Sequence, residues 1–104
     1  MSNTFTPQEV DLIYDFLDNI HEDFDLSVLL FDIGLDAYGA LFNSVCEKLE
    51  NYTMFTTFTI GEIKVILDAL QLGLGFDVPE IQSCAHSAYK KALAIQAALE
   101  PNAR

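Results

Sequence analysis

Thr4-Phe5-Thr6-Pro7-Gln8-Glu9-Val10-Asp11-Leu12-Ile13-Tyr14-Asp15-Phe16-Leu17 returns 53 positions later as Thr57-Phe58-Thr59-Ile60-Gly61-Glu62-Ile63-Lys64-Val65-Ile66-Leu67-Asp68-Ala69-Leu70. Seven of the 14 aligned positions are identical, and Val10/Ile63 and Leu12/Val65 stay apolar. Self-similarity at about half the chain length predicts two copies of one supersecondary unit sharing a core. Each copy opens with a helix-start signature. Thr6 with Glu9, and Thr59 with Glu62, match the capping box, in which the two side chains satisfy orphan amides at a helix entrance. Phe5 and Phe58 precede the caps and fit hydrophobic staples onto Val10 and Ile63. Pro7 stands at the first helical position, where its missing N–H costs nothing. From these entrances the apolar periodicity predicts helices of about 13 residues, with Val10, Ile13, Phe16, Leu17 and Ile20 on one face and Ile63, Ile66, Leu67 and Leu70 on the other.

The rest of each copy also reads as helical. Asp77 with Glu80 forms a cap-like pair, Pro79 lies in the first turn, and a long helix follows to about Leu99, closed by Pro101. In the first half, Leu26 to about Glu50 is the equivalent stretch. A break near Gly34 would leave a short helix and a second one starting around Leu35 or Asp36, with Leu35, Tyr38, Leu41, Phe42, Val45 and Leu49 in the buried stripe. Ala37-Tyr38 and Ala88-Tyr89 recur at an offset of 51 and suggest how the second helices correspond. Leu72-Gly73-Leu74-Gly75-Phe76 reads as a helix stop and turn. The linker from Asn51 to Thr56 is short and aromatic and should pack. The expected fold is all-α, a four-helix (or five-helix) single domain over 1–104, made of two tandem helical hairpins at about 4–51 and 57–100.

Composition bounds the function. The chain has 104 residues, 51% hydrophobic, with eight Phe and four Tyr, so it can bury a core and is not a disordered acidic tail. No apolar run reaches the roughly 18 residues of a membrane span, and the start lacks a basic-then-apolar signal pattern. Cys46 and Cys84 show no clustered spacing and read as buried free thiols, which points to a cytoplasmic protein.

Charge separates the two copies. Residues 1–52 carry 11 acids against the single base Lys48, a net of −10, whereas residues 53–104 hold five acids and four bases, a net of −1. Asp11, Asp15, Asp18 and Glu22 follow i, i+4, i+7, i+11 spacing and line one helix face, and Asp23 and Asp25 extend the patch into the turn. Like charges at i, i+4 each cost an isolated helix about 0.2–0.5 kcal/mol. A charge run is usually a solvated face. The second copy nevertheless supplies a control: Lys64 and Gln71 stand where the first has Asp11 and Asp18, so the fold does not demand acids there.

Catalytic and metal signals are weak. His21 lies beside Glu22, Asp23 and Asp25, but the segment lacks the glycine and bidentate glutamate of an EF-hand loop. Cys84 and His86 have no matching second pair for zinc. Ser44, Ser83 and Ser87 lack a nucleophile-elbow context. No cofactor, metal or enzymatic activity is expected. Five bases against 16 acids also disfavour direct nucleic-acid binding.

Three functions follow in order. The first is a non-enzymatic interaction module whose N-terminal acidic face (Asp11, Asp15, Asp18, Glu22, Asp23, Asp25) docks on a basic protein surface. Its sharpest version is a nucleic-acid mimic that occupies the groove of a nucleic-acid-binding protein. In size and charge alone the chain resembles small acidic inhibitors of phages and mobile elements. The second is an oligomeric scaffold or adaptor, such as a homodimer, associating through an apolar aromatic patch around Phe31, Tyr52 and Phe55. The third is a small ligand- or metal-binding bundle with a pocket near His86 and Cys84.

Overall fold

Four α-helices build the computed structural model, which describes residues 4–22, 34–74 and 78–99. They are α1 (Pro7–Glu22), α2 (Leu35–Glu50), α3 (Ile60–Leu74) and α4 (Pro79–Leu99), with no strand among the described residues. Both capping boxes form. At α1 the Thr6 amide donates to Glu9 Oε1 at 2.7 Å and the Glu9 amide to Thr6 Oγ1 at 3.2 Å. At α3 the Thr59 amide donates to Glu62 Oε1 at 2.7 Å and the Glu62 amide to Thr59 Oγ1 at 3.3 Å. Helix α2 starts at Leu35, directly after Gly34, whose φ of 87° and ψ of 162° fall where only glycine is at ease. The short helix expected before it lies outside the described residues. Helix α3 runs through Gly73 to Leu74, so the first glycine of the expected stop is still helical.

One core unites the helices. Ile13, Phe16 and Leu17 of α1, Tyr38, Phe42, Val45 and Leu49 of α2, and Ala85, Ala88 and Ala92 of α4 close around α3. Helix α3 is buried at Ile63, Val65, Ile66, Leu67, Ala69 and Leu70, which is most of its circumference, so it is the central element. The alanine stripe of α4 removes the side chains that would hold two helices apart, and α3 and α4 share the most extensive interface. Helix α1 touches α2 less than it touches α3 or α4. Its packing is therefore mainly onto the second half of the chain.

The staple phenylalanines meet each other as well as the core. Phe5 and Phe58 lie 6.4 Å apart, edge to face, and Tyr52 sits 6.1 Å from one and 6.2 Å from the other. Tyr52 Oη accepts from the Phe5 amide at 2.9 Å, tying the start of α1 to the α2–α3 linker. The two repeated entrances thus lie side by side around one aromatic cluster.

Candidate functional site

Helix α1 carries Asp11, Asp15 and Asp18 as exposed side chains, on the face away from buried Ile13, Phe16 and Leu17. His21 and Glu22 end the helix, whereas Asp23 and Asp25 lie outside the described residues. The acidic surface gains one member from another helix. Tyr14 Oη donates to Glu50 Oε2 at 2.8 Å, which holds the last carboxylate of α2 beside α1. The hydrogen bond to Glu50, then its charge, pushes the exposed Tyr14 hydroxyl up to about 12. Asp18 and Glu50 also act on Cys46, whose thiol rises to about 11, mainly from burial and then from those two carboxylates. Three carboxylates from α1 and one from α2 therefore share one side of the molecule. Glu50 was not singled out from sequence, because its neighbour Tyr14 is 36 positions away.

The opposite side of each repeated entrance holds a buried acid. Glu9 and Glu62 are each 2% exposed. Lys91 Nζ of α4 reaches Glu9 Oε1 at 2.7 Å, and Lys48 Nζ of α2 reaches Glu62 Oε1 at 2.7 Å. Ser87 hydrogen-bonds Glu9 and Ser44 donates to Glu62, so a Ser-x-x-x-Lys pair serves each glutamate. Burial pushes both carboxyls up. The lysine, the serine and the cap amide together outweigh it and leave both below the ordinary 4.5. Lys48 also donates to the Thr57 carbonyl at 2.8 Å and lies 5.6 Å above the Phe58 ring.

These partners recur at a different offset from the Ala-Tyr match. Ser44 matches Ser87 and Lys48 matches Lys91 at an offset of 43, which superposes buried Phe42, Val45 and Leu49 on buried Ala85, Ala88 and Ala92. The Ala-Tyr match at 51 pairs fully buried Tyr38 with half-buried Tyr89, which is not the same environment. At this offset the large buried side chains of α2 stand against alanines of α4, and only the Ser and the Lys are identical.

The same correspondence explains a difference in shape. In α2, Leu41 lies over Gly61, where a Cβ would sit 3.1 Å from its methyl groups. At the matching place α4 has the smaller Cys84 and α1 has Gln8, and an open cleft of about 740 Å³ lies there, lined also by Thr6, Ser83 and Ser87. Cys84 thus lines a cleft near the place where the ligand-binding reading expected a pocket; exposed His86 is not among the lining residues of this cleft. Both cysteines are free, and both are half-buried rather than buried. No group of three or more potential metal ligands occurs among the described residues.

The linker departs from expectation in one respect. Tyr52 packs, but Met54 and Phe55 are 73% and 82% exposed. They ride on a tight turn: the Thr56 amide donates to the Thr53 carbonyl at 3.1 Å, the Thr53 amide to Thr56 Oγ1 at 2.9 Å, and the Phe55 amide to Thr53 Oγ1 at 3.1 Å. Of the three residues expected in an apolar patch, Phe55 is exposed, Tyr52 is half-buried in the aromatic cluster, and Phe31 lies outside the described residues. Beside this turn is a cleft of about 330 Å³ with Phe5, Val10, Leu49 and Tyr52 as apolar lining and Asp11, Glu50 and Met54 among its other walls.

No helix among the described residues is long and apolar enough to cross a membrane. Comparison with known protein families, with curated proteins and with solved structures finds no match to this chain.

Proposed function

We propose that this chain is a non-enzymatic, cytoplasmic interaction module whose acidic α1 face docks on a basic protein surface. The observation that carries the reading is the division of charge. Two ion pairs bind Lys48 and Lys91 to the buried Glu62 and Glu9. Neither draws on Asp11, Asp15 or Asp18, which remain exposed on one face. Asp11, Asp15 and Asp18 of α1 thus stay toward solvent while Lys48 and Lys91 are engaged by the two buried glutamates. A basic partner would relieve the i, i+4 repulsion and gain complementary contacts.

Nucleic-acid mimicry is the sharpest form of this reading, and charge density tests its geometry. At 1.5 Å per residue, four carboxylates from Asp11 to Glu22 place one charge per about 5.5 Å. One DNA strand carries a charge per about 3.4 Å of axis. The α1 row alone is sparser than a strand, so mimicry would need contributions such as Glu50 from α2.

The test is affinity capture from lysate of the native host, with Asp11→Lys/Asp15→Lys/Asp18→Lys run alongside the natural chain. A basic protein that the natural chain captures, that high salt releases and that the triple variant fails to capture supports the reading. Equal capture by both chains overturns it.

A further inference from the structure

We propose that the cleft between the start of α1 and the α2–α3 linker seats a basic, partly apolar segment of the partner protein. An Arg or Lys of that segment lies between Asp11 and Glu50, and the segment's apolar neighbours cover Met54 and Phe55. The assignment rests on the acidic-face reading and locates its anchor.

Three features converge on this occupant. The cleft joins an apolar lining, Phe5, Val10, Leu49 and Tyr52, to carboxylates at Asp11 and Glu50. Long basic side chains match such a surface, because their alkyl stems lie on apolar groups while the charged head reaches a carboxylate. The Tyr14 hydroxyl holds Glu50 in place, so that carboxylate is oriented before binding.

Next to the cleft, Met54 and Phe55 are the most exposed large apolar side chains among the described residues. Three hydrogen bonds from Thr53 and Thr56 fix the turn that presents them. Presenting apolar groups on a pre-ordered turn lowers the entropy cost of binding. Methionine and aromatic residues are also the types enriched in interface centres. Charge then selects the partner. A second copy of this chain would bring another net −11 and set like charges against Asp11 and Glu50, whereas a basic protein brings complementary ones.

The experiment uses the full chain, isotopically labelled, and two short synthetic peptides of equal charge, one alternating Arg with Leu and the other Arg with Ser. The Arg–Leu peptide is expected to shift the amide signals of Asp11, Leu49 and Tyr52 to Phe55 in NMR spectra. Phe55→Ser, a change at an exposed turn position, should weaken its binding about tenfold by fluorescence anisotropy. The same variant should leave Arg–Ser affinity within about twofold, since that peptide brings charge without apolar anchors. Circular dichroism verifies that the variant keeps its helices. If both peptides bind in a salt-sensitive way but Phe55→Ser changes neither, the cleft assignment is overturned and the acidic face stands. If neither peptide binds, both fall.

Discussion

At the scale of single residues, Glu9 and Glu62 are buried carboxylates held by a lysine, a serine and a cap amide each. Removing a carboxylate from water costs several kcal/mol, and a partner must offset it. The lowered pKa of both groups says that the Lys, Ser and amide contacts win. Lys91→Met or Lys48→Met would strand a buried charge, and each is expected to cost about 1–3 kcal/mol in urea unfolding followed by circular dichroism. The pH dependence has a definite sign. Because each folded pKa lies below the ordinary 4.5, the stabilisation is fully present above about pH 4.5 and is lost as pH falls through the lower folded value. The stability advantage of the natural chain over Glu9→Gln should therefore be clear at pH 7 and shrink below about pH 4.5; a constant difference across that range would contradict the assignment. Cys46 provides a second check. A thiol raised from 9.0 to about 11 holds about a hundredfold less thiolate near pH 7.5, partly offset by the greater nucleophilicity of the thiolate that does form. Alkylation by iodoacetamide is expected to run about tenfold slower than for an unperturbed cysteine; a rate at or above the unperturbed one would show the burial to be wrong.

At the scale of elements, what could be read early was what is local. Thr6 to Glu9 and Thr59 to Glu62 are contacts within a single turn, so composition and spacing expose them directly, and both helix starts appear where the repeated segment put them. Gly34 announced the start of α2 for a similar reason, since its backbone conformation belongs to glycine alone. Gly34→Ala is expected to cost about 1–3 kcal/mol of thermal or urea stability; a neutral result would mean that the backbone there relaxes. What could not be read is what crosses the fold. Lys91 and Glu9 are 82 positions apart, and nothing in their spacing links them. The sequence carries a trace of it in the recurring Ser-x-x-x-Lys at offset 43, which stands beside the Ala-Tyr match at 51. The exposure of Met54 is illegible in the sequence for a different reason. An aromatic linker usually packs, and Tyr52 does, whereas a threonine-locked turn can hold its neighbours outward.

At the scale of the whole molecule, an inward set of charges and an outward one coexist. Lys48 and Lys91 lock the two entrances by pairing with buried glutamates, and the net −11 is carried mostly by the first half of the chain. The stripe of Asp11, Asp15 and Asp18 was legible as a helix face, because periodicity fixes which residues share a side, and the structure leaves all three exposed. Its extension by Glu50 was not, because it needs the packing of α2 beside α1. The second copy carries Lys64 where the first has Asp11 and Gln71 where it has Asp18, so the fold does not demand acids at those two positions, while Asp15 is matched by Asp68. The most direct measurement is the Kd of the captured basic partner for the natural chain and for Asp11→Lys/Asp15→Lys/Asp18→Lys, at about 0.05 and 0.5 M salt, with circular dichroism on both chains. The account predicts unchanged helicity, at least about tenfold weaker binding of the natural chain at high salt, and loss of binding by the variant at both concentrations. Equal affinities for the two chains, insensitive to salt, would contradict it and leave the α1 carboxylates as a solvated surface.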